Sequence, residues 1–413
     1  MRQVVLISAF WPTRDNPISG VFVVQQIAAF CRAGWEVTVL VGRAVGRTGQ
    51  DYLAPAELGL QGASVELVVF PYLRFPQALS ATALSFRFNM WSYGNAVARR
   101  LRALRHRRSA IQLCLAHGVV YPGLALPYWA DATAAPTLVY LHGVDPFLTL
   151  PAVRRFIGPL IKAVETRAQA LVLVGSPLRR HADELGFAAG KCVVVANGAE
   201  LLAEEPVTPP RIPAERGVHV VSVSNLIALK GIDDNLHALH RLKATFSRTD
   251  WRYSIVGDGP ERARLEALTT ALGLDGQVRF LGRLPYTETM AVMASADIFS
   301  VPSWGEAFGI VYLEAMARGC PTIGCLDNGA ADIITSGVDG FLVPPKDPQA
   351  LAATFETLMA HPELRRRIGE VARRTARGFT WDANVARLVA LAEGGIAVPA
   401  PAAAETVGHS HGY

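Results

Sequence analysis

Two glutamates separated by seven residues, Glu306 and Glu314, follow a predicted strand, Asp297–Val301. We predict a helix over Phe308–Arg318, and eight helical positions correspond to about 12 Å of rise and about 80° of rotation. Both carboxylates can then border one groove and bind hydroxyl groups at opposite ends of an extended ligand. Free amides at the helix start would suit a phosphate between them. The alternative is a glutamate at a helix N-terminus and a second, solvated helix glutamate.

A lysine lies where another predicted strand, Val218–Val223, gives way to a helix over Ile232–Phe246. Lys230 and Gly231 immediately precede that helix, so an ammonium and a helix N-terminus converge on one place. This arrangement favours binding of a diphosphate. The alternative is a surface lysine before a capped helix.

A histidine follows the predicted strand Thr137–Leu141 in the first half of the chain. His142 stands next to Gly143 at the carboxyl end of that strand, which is where ligands bind in open α/β sheets. We expect Asp145 to orient the loop. The alternative is a buried, hydrogen-bonded histidine.

Three further loops at strand ends contain candidate ligand contacts. Gly257 begins a G-x-G turn that is either a nucleotide contact or a tight turn between a strand and a helix. Arg283 could lie over a base, reach a phosphate, or be an ordinary surface arginine. Gly20 opens a helix after the first strand, where backbone amides could approach a diphosphate or an acceptor.

Short β-branched runs alternate with helical patterns along the chain, and this rhythm is typical of βαβ units with parallel sheets. The predicted strands of the first half are Val4–Ser8, Glu36–Val41, Val65–Phe70, Ile111–Ala116, Thr137–Leu141, Ala170–Val174 and Lys191–Val195. Those of the second half are Val218–Val223, Arg252–Val256, Gln277–Leu281, Asp297–Val301 and Cys320–Ile323.

The break between the two halves is rich in proline, which prevents a regular element. We predict an N-terminal α/β domain over residues 1–200, a linker over 201–217 and a C-terminal α/β domain over 218–378. Two such open sheets imply two domains facing a cleft. Residues 394–413 are rich in alanine, proline and glycine and are predicted to be a disordered tail.

Composition excludes several classes of protein. The 413 residues are 51 % hydrophobic and 18 % charged, which excludes disorder over most of the length. A net charge of +5 suits a polyphosphate ligand but is too weak to indicate nucleic acid. Five cysteines without a C-x-x-C spacing favour a reducing, cytoplasmic compartment over a disulfide framework or a zinc site. The apolar N-terminus is one strand long, and we expect neither a signal peptide nor a membrane span.

Six arginines lie within ten positions, Arg99–Arg108, after an aromatic-rich segment from Phe70 to Trp91. They are either a solvated, cationic helix end or a contact with anionic lipid headgroups. The second possibility predicts peripheral association with the inner face of a membrane.

The segment from Pro302 to Pro321 matches every fixed position of P-S-x-x-E-x-F-G-x-x-x-x-E-A-M-A-x-G-x-P. It resembles the signature of the retaining glycosyltransferases of family 4, which have the GT-B fold of two Rossmann-like, doubly wound domains. The likeness extends over most of the chain, including the H-G-x-D that begins at His142. It implies transfer of a sugar from a nucleotide-diphosphate donor to an acceptor hydroxyl, with retention at the anomeric carbon. It also implies that a helix over about 379–393 returns to the N-terminal domain.

The resemblance assigns roles to the candidate residues. Glu306 and His142 would contact the donor sugar, Lys230 the diphosphate and Glu314 the ribose of the nucleotide. Backbone amides after the first glutamate would bind sugar and phosphate; they belong to Ala307, Phe308 and Gly309. Gly20, Gly257 and Arg283 complete the expected donor site. Many relatives use lipid-linked acceptors, and we expect a glycan or lipid-linked acceptor for this chain.

One position departs from the family pattern. The family places an arginine where this chain has Asn225, and an uncharged amide cannot replace that charge on a leaving diphosphate. Either another cation substitutes or leaving-group stabilisation is weaker. The alternative function is therefore a weakly active or inactive nucleotide-sugar-binding subunit of a glycan-assembly complex. The chain has no D-x-D pair, so we expect neither a metal nor another cofactor. A nucleotide-sugar oxidoreductase would need a G-x-G-x-x-G after the first strand, which is missing.

Overall fold

The computed structural model describes residues 2–46, 51–75, 82–105, 110–145, 148, 151–199 and 217–394, and all structural statements below concern these residues. The chain divides into two compact units. Of the described residues, the first unit comprises those up to Gly198 together with those from Trp381 to Gly394, and the second comprises those between Ala199 and Thr380. The predicted linker over 201–217 and the tail over 394–413 lie, apart from Gly217 and Gly394, outside the described residues.

The first unit contains a seven-stranded parallel sheet with the order β3-β2-β1-β4-β5-β6-β7. Its strands are β1 (Arg2–Ser8), β2 (Trp35–Ala44), β3 (Val65–Tyr72), β4 (Ile111–His117), β5 (Thr137–Leu141), β6 (Ala170–Leu173) and β7 (Cys192–Val194). Central strands such as β1 and β5 are buried on both faces, as their continuous runs of β-branched and aliphatic residues require.

The second unit contains a six-stranded parallel sheet with the order β10-β9-β8-β11-β12-β13. Its strands are β8 (Val218–Val223), β9 (Trp251–Val256), β10 (Val278–Gly282), β11 (Ile298–Ser300), β12 (Thr322–Cys325) and β13 (Phe341–Val343). Its apolar core packs buried side chains of β8, β9 and two helices, Ile232–Thr245 and Pro348–Ala360, around residues such as Tyr253 and Phe355.

The α-helices of the first unit are α1 (Val21–Arg32), α2 (Ala83–Arg105), α3 (Leu126–Trp129), α4 (Pro151–Arg167) and α5 (Leu178–Leu185). Those of the second unit are α6 (Ile232–Thr245), α7 (Arg262–Ala271), α8 (Tyr286–Ala294), α9 (Ile310–Ala317), α10 (Pro348–Ala360) and α11 (Pro362–Ala376). A last helix, α12 (Trp381–Ala392), belongs to the first unit and lies against α1. There Gln26 donates a 2.7 Å hydrogen bond to Asn384.

Both sheets change winding direction beside their first strand, because β1 lies between β2 and β4 and β8 lies between β9 and β11. Ligands of doubly wound sheets bind at the carboxyl ends of strands at such a switch point. The loops after β1 and β4 in one unit, and after β8 and β11 in the other, are therefore the places where function is expected.

The predicted fold class is confirmed, because each half is a doubly wound parallel sheet covered by helices. One predicted helix is wrong at its start: α9 begins at Ile310 rather than at Phe308. The turn before it contains Gly309 at φ 91°, a left-handed conformation that ends the preceding loop. Glu306 consequently lies in a loop, and the helical rise between the two glutamates does not apply.

None of the described helices is long and apolar enough to cross a membrane. Nor do three or more His, Cys, Asp or Glu side chains of the described residues gather as they would around a metal ion.

Candidate functional site

The ammonium of Lys230 donates a hydrogen bond of 2.5 Å to Oε2 of Glu306 in the second unit. Lys230 ends a short 3-10 turn after β8, and Glu306 lies in the loop after β11, so the two strands at the switch point each supply one charge. Both side chains are mostly buried, with 20 % and 14 % of their surface exposed. A partly desolvated ion pair thus joins Lys230, the residue predicted to contact the diphosphate, to Glu306, the residue predicted to contact the sugar.

Backbone contacts hold the two loops in register. The Ser303 hydroxyl and the Trp304 amide both donate to the carbonyl of Leu229, each at 3.0 Å. Gly231 has φ 64° and caps α6, and a Cβ at this position would overlap the carbonyl oxygen of Pro302. Only glycine therefore allows the loop after β11 to approach the first turn of α6 this closely.

The turn between Glu306 and α9 is held in place by side-chain packing and by a backbone hydrogen bond. Phe308 is 2 % exposed, and its ring centre lies 6.2 Å from that of Phe379, so its side chain is held in the interior of the second unit. The amides in the first turn of a helix have no partner within the helix. The loop after β12 supports this turn, because the amide of Gly329 donates a 2.9 Å hydrogen bond to the carbonyl of Glu306.

The second glutamate, Glu314, lies on α9 and is half-buried. Arg318, one turn later, donates a 2.7 Å hydrogen bond to the carbonyl of Glu314 and another to that of Met290. Burial lowers the pKa of Arg318 from its ordinary value, and Glu314 opposes that shift. Arg318 was not predicted as a site residue, because it occupies a variable position of the signature.

The loops after β8 and β9 contact each other closely. Gly257 has φ 126°, and a Cβ there would overlap the carbonyl oxygen of Ser224. Its amide donates a 2.8 Å hydrogen bond to the carbonyl of Gly282, the last residue of β10. Asn225, in the loop after β8, and Arg283, in the loop after β10, are both exposed. The predicted site residues of the second unit therefore follow β8, β9, β10 and β11 at one edge of the sheet.

The electrostatics of this edge are mixed. Asp233 and Asp234 lie in the first turn of α6, and burial, aided by the neighbouring Asp233, raises the pKa of Asp234 to about 6. These carboxylates oppose an anion at the helix N-terminus. Lys346 brings a second ammonium to the loop after β11, with its Nζ 4.0 Å from the ring centre of Trp304. Lys346 was not predicted as a site residue, because the strand that it follows, β13, was itself not predicted.

In the first unit His142 follows β5, as predicted, and its ring contacts a second histidine. Nε2 of His142 and Nδ1 of His117 are 3.0 Å apart, and both rings are stacked with that of Tyr140. Phe10 and Phe22 also pack against His142. Burial lowers the pKa of His142 to about 3, so its imidazole is neutral at physiological pH. His117 was missed, although it shows the same signal as His142, a strand-end histidine followed by glycine.

Gly20, predicted to open the first helix, is the N-cap of α1 at φ 74°. A Cβ there would lie 2.8 Å from the carbonyl carbon of Phe10. Gly20 therefore fixes the loop after β1 against the start of α1. Since Phe10 and Phe22 pack on His142, Gly20 and His142 belong to one cluster at the switch point of the first sheet.

Known families match both halves of the chain. Residues 19–198 match the Glycosyl transferase 4-like domain, and residues 211–375 match Glycosyl transferases group 1. A D-inositol 3-phosphate glycosyltransferase of Corynebacterium efficiens is 35 % identical over 176 residues, which is 42 % of each chain. The chain thus spans about two fifths of the length of that curated relative.

Solved structures share the fold at low sequence identity. Anabaena Alr3699/HepE, in complex with UDP and glucose, superposes with a TM-score of 0.70 at 19 % identity and covers 94 % of this chain and 98 % of its own. The lipopolysaccharide outer core galactosyltransferase WaaB gives a TM-score of 0.68 at 16 % identity, covering 94 % and 99 %. The two halves of the chain therefore match, in order, a glycosyl transferase 4-like domain and a glycosyl transferases group 1 domain, and the chain has the GT-B fold.

Proposed function

We propose that the protein transfers a sugar from a nucleotide-diphosphate donor to an acceptor hydroxyl, with retention of the anomeric configuration and without a metal ion. The observation that carries the proposal is the Lys230–Glu306 pair at the switch point of the second sheet, beside the first turn of α9. A cation, a carboxylate that would bind hydroxyls and the backbone amides before α9 belong to one loop cluster, which supports the proposal. A nucleotide-diphosphate sugar contains the complementary groups.

Each group has a distinct role in the proposed reaction. Glu306 binds hydroxyls of the donor sugar, and Glu314 binds the ribose. The amides of Ala307, Phe308 and Gly309 bind the sugar and the phosphate next to it. The acceptor attacks from the face that the diphosphate leaves, and a phosphate oxygen takes the acceptor proton. The protein contributes positioning and electrostatic stabilisation rather than a nucleophile.

Charge on the leaving diphosphate is neutralised by fewer cations than the family pattern has. Asn225 is neutral, so Lys230 and the N-terminus of α6 carry most of this task. Lys346, whose ammonium lies over Trp304 in the loop after β11, is the candidate for the second cation. The carboxylates of Asp233 and Asp234, in the first turn of α6, reduce the positive potential that the N-terminus of α6 and the lysines offer to the diphosphate.

For the donor we propose a UDP-sugar first and a GDP-sugar second, and for the product a polysaccharide or glycolipid. Two structural relatives support this choice, since Anabaena Alr3699/HepE forms a complex with UDP and glucose and WaaB is a lipopolysaccharide outer core galactosyltransferase. The exposed arginines Arg99, Arg100 and Arg102 on α2 suit peripheral contact with anionic lipid. Exposed Leu73 and Trp91 in the same unit add apolar surface. The remaining part of this basic segment, residues 106–108, lies outside the described residues.

Thermal unfolding in the presence of UDP-, GDP- and ADP-sugars tests the donor site. A donor at one hundred times its Kd should stabilise the protein by about 2.7 kcal/mol, which is a shift of about 5–10 °C in Tm for domains of this size. Glu306→Ala should abolish the shift. Glu370→Ala, at an exposed position of α11, is the matched control and should retain it. Unchanged Tm values with every donor would contradict the proposal.

The stereochemistry and the alternative function need a turnover assay. Incubation of the stabilising donor with candidate acceptors, followed by NMR of the anomeric proton, should give a product with the donor's configuration. Binding without hydrolysis or transfer would instead favour a nucleotide-sugar-binding subunit, and the uncharged Asn225 is the observation that supports this second candidate.

A further inference from the structure

The pair of histidines in the first unit is built by the sheet. His117 is the last residue of β4 and lies opposite Tyr140 of β5, in the register of the parallel pair. His142 follows Tyr140 by two positions and so lies on the same face of the sheet. The three rings are nearly parallel, with an angle of 12° between the two imidazoles. The hydrogen bond between His117 Nδ1 and His142 Nε2 is 3.0 Å long.

Both imidazoles are neutral. His117 is 1 % exposed, and burial together with the neighbouring His142 holds its pKa well below the usual range. The groups that pack on His142 are the aromatic rings of Phe10, Phe22 and Tyr140 besides His117. None of these four side chains supplies a negative charge that would favour an imidazolium. Each ring therefore carries one proton, either on Nδ1 or on Nε2.

Two proton arrangements satisfy the bond between the rings. In the first, His117 donates from Nδ1, and His142 accepts at Nε2 and keeps its own proton on Nδ1. In the second, His142 donates from Nε2, and the proton of His117 must lie on Nε2. That atom is buried and has no hydrogen-bond partner among the residues that the structure describes. The second arrangement thus leaves a buried N–H without an acceptor, whereas the first leaves only a lone pair without a donor.

Buried N–H groups without an acceptor are rarer in proteins than acceptors without a donor. We infer that His117 is a positioning residue: it donates its Nδ1–H to Nε2 of His142 and thereby fixes His142 as a hydrogen-bond donor through Nδ1. The lone pair of His142 Nε2 is then occupied by His117. His142 therefore cannot take a proton from the hydroxyl of the acceptor substrate at Nδ1, because Nδ1 is already protonated. It cannot readily do so at Nε2 either, because that lone pair accepts the hydrogen bond from His117.

The role of His142 toward a donor sugar, which follows from this tautomer, rests on the proposed function. If His142 contacts the donor sugar, it donates to a hydroxyl oxygen of that sugar and is not a general base. Donor binding should then show no titration of His142 between pH 5 and 8. The tautomer itself is a property of the protein alone and can be measured without any ligand.

Nitrogen NMR of the full chain with ¹⁵N-labelled histidine tests the tautomer. Signals are assigned with His142→Phe and His117→Asn, and two-bond couplings to the ring protons distinguish protonated Nδ1 from protonated Nε2. We expect both rings to be protonated on Nδ1 only, without change from pH 8 to pH 5. A protonated Nε2 on His142, or an imidazolium signal above pH 5, would overturn the inference. This result is independent of whether any nucleotide sugar binds.

Two substitutions test the consequence. His117→Asn keeps an N–H donor near the Nδ1 position, and His117→Phe keeps the aromatic ring without a donor. With the donor that stabilises the wild type, we expect Kd to rise about tenfold in His117→Phe, which corresponds to one hydrogen bond, and by less than about threefold in His117→Asn. If His117 had only a structural role, the loss of donor affinity in the two variants would parallel their loss of folding stability. The free energy of unfolding of both variants is therefore measured in urea. Equal Kd values for the two variants would contradict the positioning role.

Discussion

The Lys230–Glu306 pair should stabilise the second unit measurably, and its strength can be calculated from its geometry. At 2.5 Å and an effective dielectric constant of about 20, the Coulomb attraction is about 7 kcal/mol. Desolvation of both groups offsets most of this attraction, because each side chain is at most one-fifth exposed. Hydrogen bonds between charged groups contribute about 1.5–3 kcal/mol net. We therefore expect a coupling free energy of about 2 kcal/mol.

A double-mutant cycle measures this coupling. Lys230→Met, Glu306→Gln and the double variant are unfolded in urea, and hydrogen exchange of peptides from α6 and α9 assigns the change to the second unit. The matched control is the pair Arg366–Glu370 on α11, which is 3.3 Å long and has 77 % and 56 % exposed side chains. Exposed helical pairs of this kind couple by less than about 0.5 kcal/mol.

The outcome decides whether the two charges are coupled in solution. A coupling near 2 kcal/mol that persists in 1 M NaCl would support a partly desolvated pair, because buried charges are screened little by salt. A value as small as that of the control would refute the reasoning. Lys230 and Glu306 would then be independent, solvated side chains, and a preformed donor site would lose its main physical basis.

Three further predictions concern stability. Tyr93→Phe should leave the free energy of unfolding unchanged or raise it by up to about 1 kcal/mol, because the Tyr93 hydroxyl is buried without a partner among the described residues. Tyr312→Phe should lower the free energy of unfolding by about 1–2 kcal/mol, because the Tyr312 hydroxyl donates a 2.7 Å hydrogen bond to a backbone carbonyl. Gly257→Ala should cost at least about 2 kcal/mol more than Gly337→Ala, because both have positive φ but only Gly257 lacks space for a Cβ. Acidification from pH 7.5 to 5 should lower the free energy of unfolding by up to about 2 kcal/mol through His142. The folded pKa of His142, about 3, lies below the usual 6.5, so its contribution to stability is full above pH 6.5 and is lost as the pH falls toward 3. In urea unfolding at the two pH values, His142→Phe should lose correspondingly less stability.

The regular parts of this fold were predictable because their local and tertiary signals agree. Buried parallel strands need continuous β-branched runs, and Val218–Val223 was predicted with its exact bounds. Short strands at the sheet edge give a weaker signal. The edge strand Phe341–Val343 has only three residues and is followed by two prolines, so its pattern does not distinguish it from a loop. The equally short edge strand Cys192–Val194 lies within a longer apolar run and was predicted as Lys191–Val195.

The candidate site was predictable residue by residue but not in its pairings. Strand-end positions identified Lys230, Glu306 and His142, because ligands bind at the carboxyl ends of parallel strands. Sequence alone could not bring Glu306 to Lys230, since residues 76 positions apart meet only through the order of β8 and β11. His117 shows the same limit: its strand-end position is visible in the sequence, but its contact with His142 depends on the register of β4 and β5.

The pairing of Lys230 with Glu306 does not withhold either group from a ligand. An ammonium has three N–H donors, and Glu306 uses one of them. The two others can donate to phosphate oxygens while the ion pair persists. The carboxylate likewise has a second oxygen, Oε1, for a sugar hydroxyl. One cation can therefore connect the group that binds the sugar to the group that stabilises the leaving diphosphate. Asn225 stands where the glycosyltransferases that the chain resembles have an arginine, so the proposed reaction requires that shared use of Lys230.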